Sequence, residues 1–406
     1  MKIIHTSDWH LGQVFYNLDR LEEHRAFLCR LRDLVKEEQP DALVVSGDVF
    51  DSPQPSIPAQ RLYNSMLVEI ARACPGMAIV VTAGNHDSAS RHELNSELWD
   101  EAFSVRTVGR ITRDENGEVD WDKFIVRIPG KGYIIAVPHI YADGYPDPGD
   151  SGLLPMESFH RTLLGKVAAE NSGNLPVVMT AHIAVESCDA HGHESSRTRL
   201  VYEPLSLLGE GYDYLALGHI HKPQTLQGTE GKCGTARYSG TPVPVSFDED
   251  YEHSVSVVTI EARGSVPEVR AVVMENAKAL YNLPAEAGSF EDAKAAISAL
   301  PQDAEGYARI NIRVKDILPS AQRMELEAMM REHPGVVLCT ISTVRSVSAP
   351  TELRTYTPDE LKQVVDPVQI ARDYYAARHD GEQMDDALLK ILEEVVAEVE
   401  KCDNEA

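Results

Sequence analysis

The sequence predicts a layered α/β fold with a largely parallel sheet, extended by a small α+β unit and C-terminal helices. Three observations carry this. Short apolar, β-branched runs alternate with stretches of helical periodicity from the N-terminus to Leu217, as in strands linked by crossover helices. Several of those runs end in a glycine followed by a polar residue, in Gly47-Asp48, Gly84-Asn85 and Gly218-His219, where the chain is expected to turn sharply out of a sheet. Beyond Leu280 the order becomes helix, strand, helix, strand within a stretch short for an independent core.

Residues 2–5 are the first predicted strand and run into Thr6-Ser7-Asp8-Trp9-His10-Leu11-Gly12. Residues 18–38 carry Leu21, Phe27, Leu28, Leu31, Leu34 and Val35 at helical spacing, with Pro40 as the stop. Val44-Val45-Ser46 reads as a buried strand leading to Gly47-Asp48-Val49-Phe50-Asp51. Ser52-Pro53-Gln54-Pro55-Ser56 is a rigid loop ahead of a helix whose apolar face includes Leu62, Met66, Leu67 and Ile70. Residues 78–82 form a third strand, which ends in Ala83-Gly84-Asn85-His86-Asp87. Residues 133–137, 177–180 and 214–217 are further strands, the second followed by Ala181-His182 and the third by Gly218-His219-Ile220-His221.

After the Pro-rich stretch 240–248, residues 254–260 and 266–273 alternate as edge strands do. Residues 289–300, 308–314, 321–332 and 336–341 then make up the α+β unit. A polar connector, 346–357, contains Pro350, and 358–378 and 384–400 are helical in pattern. In the second of these, Leu388, Ile391, Leu392, Val395, Val396 and Val399 form one apolar stripe. Its opposite face is acidic, since residues 380–406 hold ten acidic side chains and two basic ones.

With 406 residues the chain has room for two or three domains, and 43% hydrophobic with 25% charged residues is a soluble globular composition. No apolar run of about 18 residues occurs, and Met1-Lys2-Ile3-Ile4-His5 leads straight to Asp8 rather than into a secretory signal. The six cysteines, at 29, 74, 188, 233, 339 and 402, form no Cys-x-x-Cys pair, so free thiols in a reducing cytoplasm are expected. A formal charge of −26 excludes nucleic-acid binding through a general positive field. It leaves room for a nuclease whose bound cations and local arginines meet the phosphates.

Chemistry concentrates at the strand ends, where open α/β sheets place their ligands. Asp8 and His10, two apart in an irregular turn, can reach one point, and an Asp oxygen with a His nitrogen suits manganese, iron or zinc. Asp48 has two oxygens to share and is read as the bridge between two ions. Asn85 offers a neutral oxygen ligand, while His86 beside it points elsewhere in a tight turn and suits a proton donor. His182 follows a strand alone, and His219 and His221 can face opposite metals or share one. Each motif singly also fits an ordinary turn in which Asn or Asp satisfies its own backbone. Five successive strand ends carrying ligand-type residues do not fit independent turns.

Asp-x-His, Gly-Asp, Gly-Asn-His-Asp, a strand-end His and Gly-His-x-His, in that order, resemble the calcineurin-like metallophosphoesterases over about residues 1–260. Within them, His5-Thr6-Ser7-Asp8-Trp9-His10-Leu11-Gly12, Gly47-Asp48-Val49-Phe50-Asp51 and Tyr238-Ser239-Gly240-Thr241-Pro242 are similar to bacterial nuclease subunits that work with an SMC-like ATPase. The resemblance implies a layered β-sandwich flanked by helices. It also implies one metal held by Asp8, His10, Asp48 and His221, and another by Asp48, Asn85, His182 and His219. Manganese is the implied metal. His86 matches a non-ligand catalytic histidine that stabilises the transition state and protonates the leaving oxygen, and Asp87 fixes the turn. Asp51 stands where some relatives carry a second histidine. His191 and His193, beside Cys188 and Asp189, are read as loop residues because the ligand set is complete without them.

The resemblance further divides the chain into a nuclease domain (1–278), a DNA-capping α+β domain (279–345) and a partner-binding linker with helices (346–406). The activity it implies is exonucleolytic on duplex DNA ends and endonucleolytic on single strands or hairpins, in DNA repair, replication and recombination. The implied assembly is a homodimer within a heterotetramer, away from membranes. A small-molecule phosphodiesterase or phosphatase of the same superfamily would need neither residues 279–345 nor partner helices. A non-enzymatic scaffold on the same fold would need no full ligand set. No G-x-x-x-x-G-K-[ST] loop occurs, so any ATP coupling must come from another chain.

Overall fold

The computed structural model describes residues 1–193, 200–231, 233–315 and 317–345, with 372, 375, 384–385 and 388–392 toward the C-terminus. One compact unit comprises Met1–Ile312 with Ser320–Ser342, and a second comprises Arg313–Pro319 with Thr343–Ala406. In the second, residues 388–392 are helical. The expected connector 346–357, almost all of the helix 358–378 and the stripe residues Val395, Val396 and Val399 lie outside the described residues.

In chain order the elements are β1 (Lys2–Thr6), α1 (Leu21–Glu38), β2 (Ala42–Ser46), α2 (Ile57–Ala73), β3 (Ala78–Thr82), β4 (Val105–Val108), β5 (Ile125–Ile128), β6 (Gly132–Ile135) and α3 (Pro155–Glu170). They continue with β7 (Val177–His182), β8 (Tyr214–Gly218), β9 (Gln224–Thr225), β10 (Thr235–Tyr238), β11 (Ser254–Thr259) and β12 (Glu268–Val273). The last group is β13 (Ala279–Gly288), α4 (Phe290–Ser298), β14 (Gly306–Val314), α5 (Ser320–Met330) and β15 (Val336–Arg345).

Two six-stranded sheets, in the orders β12-β11-β1-β2-β3-β4 and β9-β10-β8-β7-β6-β5, pack face to face. Their inner strands are parallel. Antiparallel strands lie at the margins. The alternation of side chains along a strand explains the layering. Ile3, Ala42, Val44 and Val80 face the second sheet, while Leu43, Val45, Ile79 and Val81 face Phe27, Leu31, Leu62 and Ile70 of α1 and α2. Every residue of β2 is buried, which is why it reads as an unbroken apolar run. α3 packs on the second sheet through Phe159, Leu163 and Val167. The fold is thus the layered α/β fold that the sequence predicts, closed into the helix-flanked sandwich that the resemblance implies.

Two boundaries differ from the expectation. α1 begins at Leu21 because residues 14–19 form a small hairpin, with Tyr16 and Asn17 both at positive φ as a two-residue turn requires. β11, expected at an edge, is paired on both sides and buried; of the two strands expected at an edge, β12 alone lies there. Ser256 of β11 is satisfied internally, its Oγ accepting from Arg237 Nε at 2.9 Å.

The third sheet, β13-β14-β15, is accompanied by α4 and α5. α4 starts in a capping box, Ser289 and Asp292 satisfying each other's backbone N–H groups. The module is joined to the sandwich through Tyr307 of β14, which packs on Phe15 and Phe247 and donates its hydroxyl to Glu23 Oε1 at 2.7 Å. Glu23 is in turn paired with the fully buried Arg20, whose guanidinium also donates to Pro244 O. Arg309 pairs with Asp248 at 2.7 Å. Among the described residues no helix is long and apolar enough to cross a membrane.

Candidate metal centre

The carboxyl ends of β1, β2, β3, β7 and β8 converge on one point between the sheets, and every strand-end motif lies there. The approach is close enough to exclude side chains. A Cβ on Gly47 (φ +87°) would overlap the His182 ring, and one on Gly84 would overlap the Asp48 carboxylate. The ligand-type residues carry strain of their own. Asp8 (φ 53°), His10 (45°), Asp48 (50°) and His219 (92°) are all in the left-handed region that non-glycine residues avoid. Surrounding hydrogen bonds impose it: Asp8 N donates to Gly47 O at 3.0 Å and His10 N to Asp48 O at 3.1 Å.

The side chains fall into groups whose ligand atoms lie within 4.8 Å of one another: Asp8, His10 and His221 in one, Asp48, His182 and His219 in the next. Asp48 lies between the two, with Oδ2 3.3 Å from His182 Nε2 and 3.9 Å from His10 Nε2. Asn85 joins the second group, its Oδ1 3.0 Å from His182 Nε2. A third cluster contains His10, Asp51 and His86. His10 Nε2 and His219 Nδ1 are buried without a hydrogen-bond partner. Buried imidazole nitrogens are ordinarily satisfied; lone pairs left converging beside two carboxylates fit divalent cations.

The charges show how strongly the buried carboxylates draw positive charge into the cluster. Burial opposes a charge on His10, but Asp51, Asp48 and Asp8 overcome it and lift this imidazole to about 9. Burial likewise opposes a charge on His182, and Asp48 raises it to about 9. Burial alone would raise Asp48, yet His182, His10 and His86 hold its carboxyl well below the usual range. Burial and the neighbouring His10 push His221 down to about 3, and burial with His182 holds His219 far below the ordinary value. His219 and His221 are therefore presented as neutral imidazoles beside an ionised Asp48, the form in which these groups bind a cation, whereas His10 and His182 hold protons that a bound cation would displace.

A second layer orients these side chains. His221 Nδ1 donates to the buried Glu249 Oε1 at 2.8 Å, and Glu249 Oε2 accepts from Thr241 Oγ1 at 3.2 Å and Val245 N at 3.1 Å. His182 Nδ1 donates to Ser46 O at 2.8 Å, which fixes Nε2 as its free lone pair. Asp8 accepts from Ser7 Oγ and from His219 N. His86 Nδ1 donates to Asp51 O at 2.9 Å, and the Asp51 carboxylate lies 3.4 Å from His10 Nδ1. Asp87 accepts from the backbone of Val49, Phe50 and Gly84, which locks the turn.

Some of this was not readable beforehand. Glu249 lies in an acidic run with no motif around it. His193, read as a loop residue, is buried with its ring 4.5 Å from that of His221 and 5.4 Å from that of His219. His191 does remain on the surface, paired with Asp250 at 3.0 Å. His139, two residues past a predicted strand, donates from Nδ1 to His182 O at 3.1 Å. A histidine just beyond a strand end was the one available signal for it.

Residues 1–223 match the calcineurin-like phosphoesterase family. The chain is 32% identical over 391 residues to the SbcD component of nuclease SbcCD from Rhodobacter capsulatus, covering 89% of this chain and 93% of that protein. It is 28% identical to the protein of the same name from Bacillus subtilis, over 83% of this chain and 84% of the other. Against that of Escherichia coli K12 it is 32% identical, over 61% and 62%.

Proposed function

The chain belongs to the calcineurin-like phosphoesterase family and, within it, to the group of SbcD nucleases, and on that premise we propose that it is a manganese-dependent DNA nuclease. Phosphodiester hydrolysis is the activity of the group; the proposal concerns substrate, metal and residue roles. The reading is exonucleolytic cutting of duplex ends and endonucleolytic cutting of single strands and hairpins. An SbcC-type SMC-like ATPase would be bound through residues 346–406, in a heterotetramer containing two copies of this chain. Residues 279–345 act as the module that positions DNA over the sandwich, 1–278.

The observation that carries the proposal is Asp48, which stands within reach of both ligand groups. Asp8, His10, Asp48 and His221 would hold one ion, and Asp48, Asn85, His182 and His219 the other. Two such ions would supply charge stabilisation for displacement at phosphorus. His86 lies outside both groups, its ring centre 4.9 Å from that of His10. With its Nδ1 hydrogen committed to Asp51 O, the protonated ring gives its Nε2 proton to the leaving oxygen and is left neutral. The metals also answer the charge problem, since a chain of net charge −26 needs local cations to draw in a phosphate backbone.

A small-molecule diesterase is disfavoured by the third sheet, which Tyr307 and Arg309 fasten beside the sandwich. The test is cleavage in manganese of duplex, single-stranded and hairpin DNA alongside a small phosphodiester. Cutting of all three DNAs is expected; hydrolysis of the small diester alone would overturn the substrate assignment.

A further inference from the structure

Asn85 and His139 line a second opening beside the metal centre, a cavity of about 280 Å³ walled by Ile111, Ile140 and Tyr141 with Arg110 at its rim. It is rigidly tied to the centre: Asn85 Oδ1 lies 3.0 Å from His182 Nε2, and His139 donates to the His182 carbonyl. Tyr141 and His139 meet in a T-shaped contact, ring centres 4.8 Å apart and planes at 89°, and Tyr141 is 66% exposed, so at least one face of its ring is open. An aromatic ring held upright in solvent at the mouth of a largely apolar slot has a face to offer and nothing described on it.

The charges at the cavity decide what fits. Asp87 and Asp143 line it, and the carboxylate of Asp87 is engaged by three backbone N–H groups. The one guanidinium, Arg110, is turned toward Glu93 at 3.5 Å and Ser90 at 3.3 Å. An anion would meet carboxylates and no uncommitted cation, so the slot is poor for phosphate. A flat, neutral ring with polar edges suits it in size, shape and polarity.

We propose that this cavity is a nucleobase subsite: the base of a nucleotide flanking the scissile phosphate stacks on Tyr141 while that phosphate lies at the metal centre. The inference rests on the nuclease reading and deepens it, because binding through a π-face accepts every base and requires no sequence.

The test compares kcat/KM for the p-nitrophenyl ester of thymidine 5′-phosphate with that for methyl p-nitrophenyl phosphate, in manganese, using the full chain. The parent, Tyr141→Ala and Tyr141→Phe are measured together. Stacking on an aromatic side chain is worth about 5- to 150-fold per base. The parent should therefore prefer the nucleotidyl ester by about tenfold or more, mostly through KM. Tyr141→Ala should lose that preference and Tyr141→Phe should keep it. A preference that survives in Tyr141→Ala, or is absent from the parent, overturns the subsite and leaves the nuclease reading intact. A parent that cleaves neither ester but cuts DNA overturns the subsite alone, and one that cleaves neither the esters nor DNA overturns both.

Discussion

Glu249 holds His221 from behind, its buried Oε1 accepting the Nδ1 hydrogen at 2.8 Å and leaving Nε2 turned toward Asp8 and His10. Carboxylate partners of this kind fix the tautomer and orientation of a ligating imidazole, and their loss typically costs about 10–100-fold in metal affinity or activity. Glu249→Ala should weaken metal binding by about that factor in calorimetric titration. Glu249→Gln keeps an acceptor for the same hydrogen and should fall between the two. Equal affinity in all three proteins would remove Glu249 from the centre.

Asp48→Asn should lose metal and cleavage together, because the substitution removes the charge shared by both groups. Elemental analysis after gel filtration reads the first and hydrolysis the second. Two tightly bound ions with full activity would show that another residue bridges them.

His86→Gln separates the chemistry from the metals. Its backbone N–H to Asp48 Oδ1, at 2.9 Å, is unaffected by the change, so the turn and the ions should remain. Cleavage should fall by about 10²–10⁴-fold, the usual loss with a general acid. A metal-loaded variant of near-normal rate would show that the proton comes from elsewhere.

Arg20→Ala leaves Glu23 buried with only the Tyr307 hydroxyl beside it. Breaking a buried ion pair from one side is worth about 3–5 kcal/mol. Denaturant unfolding should register a loss of that size, and the double variant Arg20→Met with Glu23→Leu should recover much of it. An unchanged midpoint in Arg20→Ala would mean that the pair contributes nothing to docking the third sheet.

Asp8, His10, Asp48, Asn85, His182, His219 and His221 could be read as neighbours because each follows a short apolar run that reads as a strand. The parallel topology then puts the carboxyl ends of those strands at one edge. The sandwich itself was less legible: nothing local tells β7 and β8 that they belong to a second sheet facing the first. Glu249, His139 and His193 reach the site from loops, and loop paths are set by packing such as that of Phe247 on Phe15 rather than by periodicity. The alternation of residues 254–260 resembles an edge strand for the same reason, since the Arg237 that satisfies the buried Ser256 lies on a distant strand.

The left-handed backbone at Asp8, His10, Asp48 and His219 makes glycine, rather than alanine, the gentler way to silence this protein. Alanine deletes the ligand but keeps a conformation costing about 1–2 kcal/mol for any L-residue. Glycine deletes the ligand and relieves that cost, at an entropic penalty of about 0.5–1 kcal/mol. A lineage abandoning catalysis while keeping the fold therefore has a downhill route through glycine at four separate positions. Relatives that kept the scaffold and discarded the chemistry should carry glycine at these places more often than alanine.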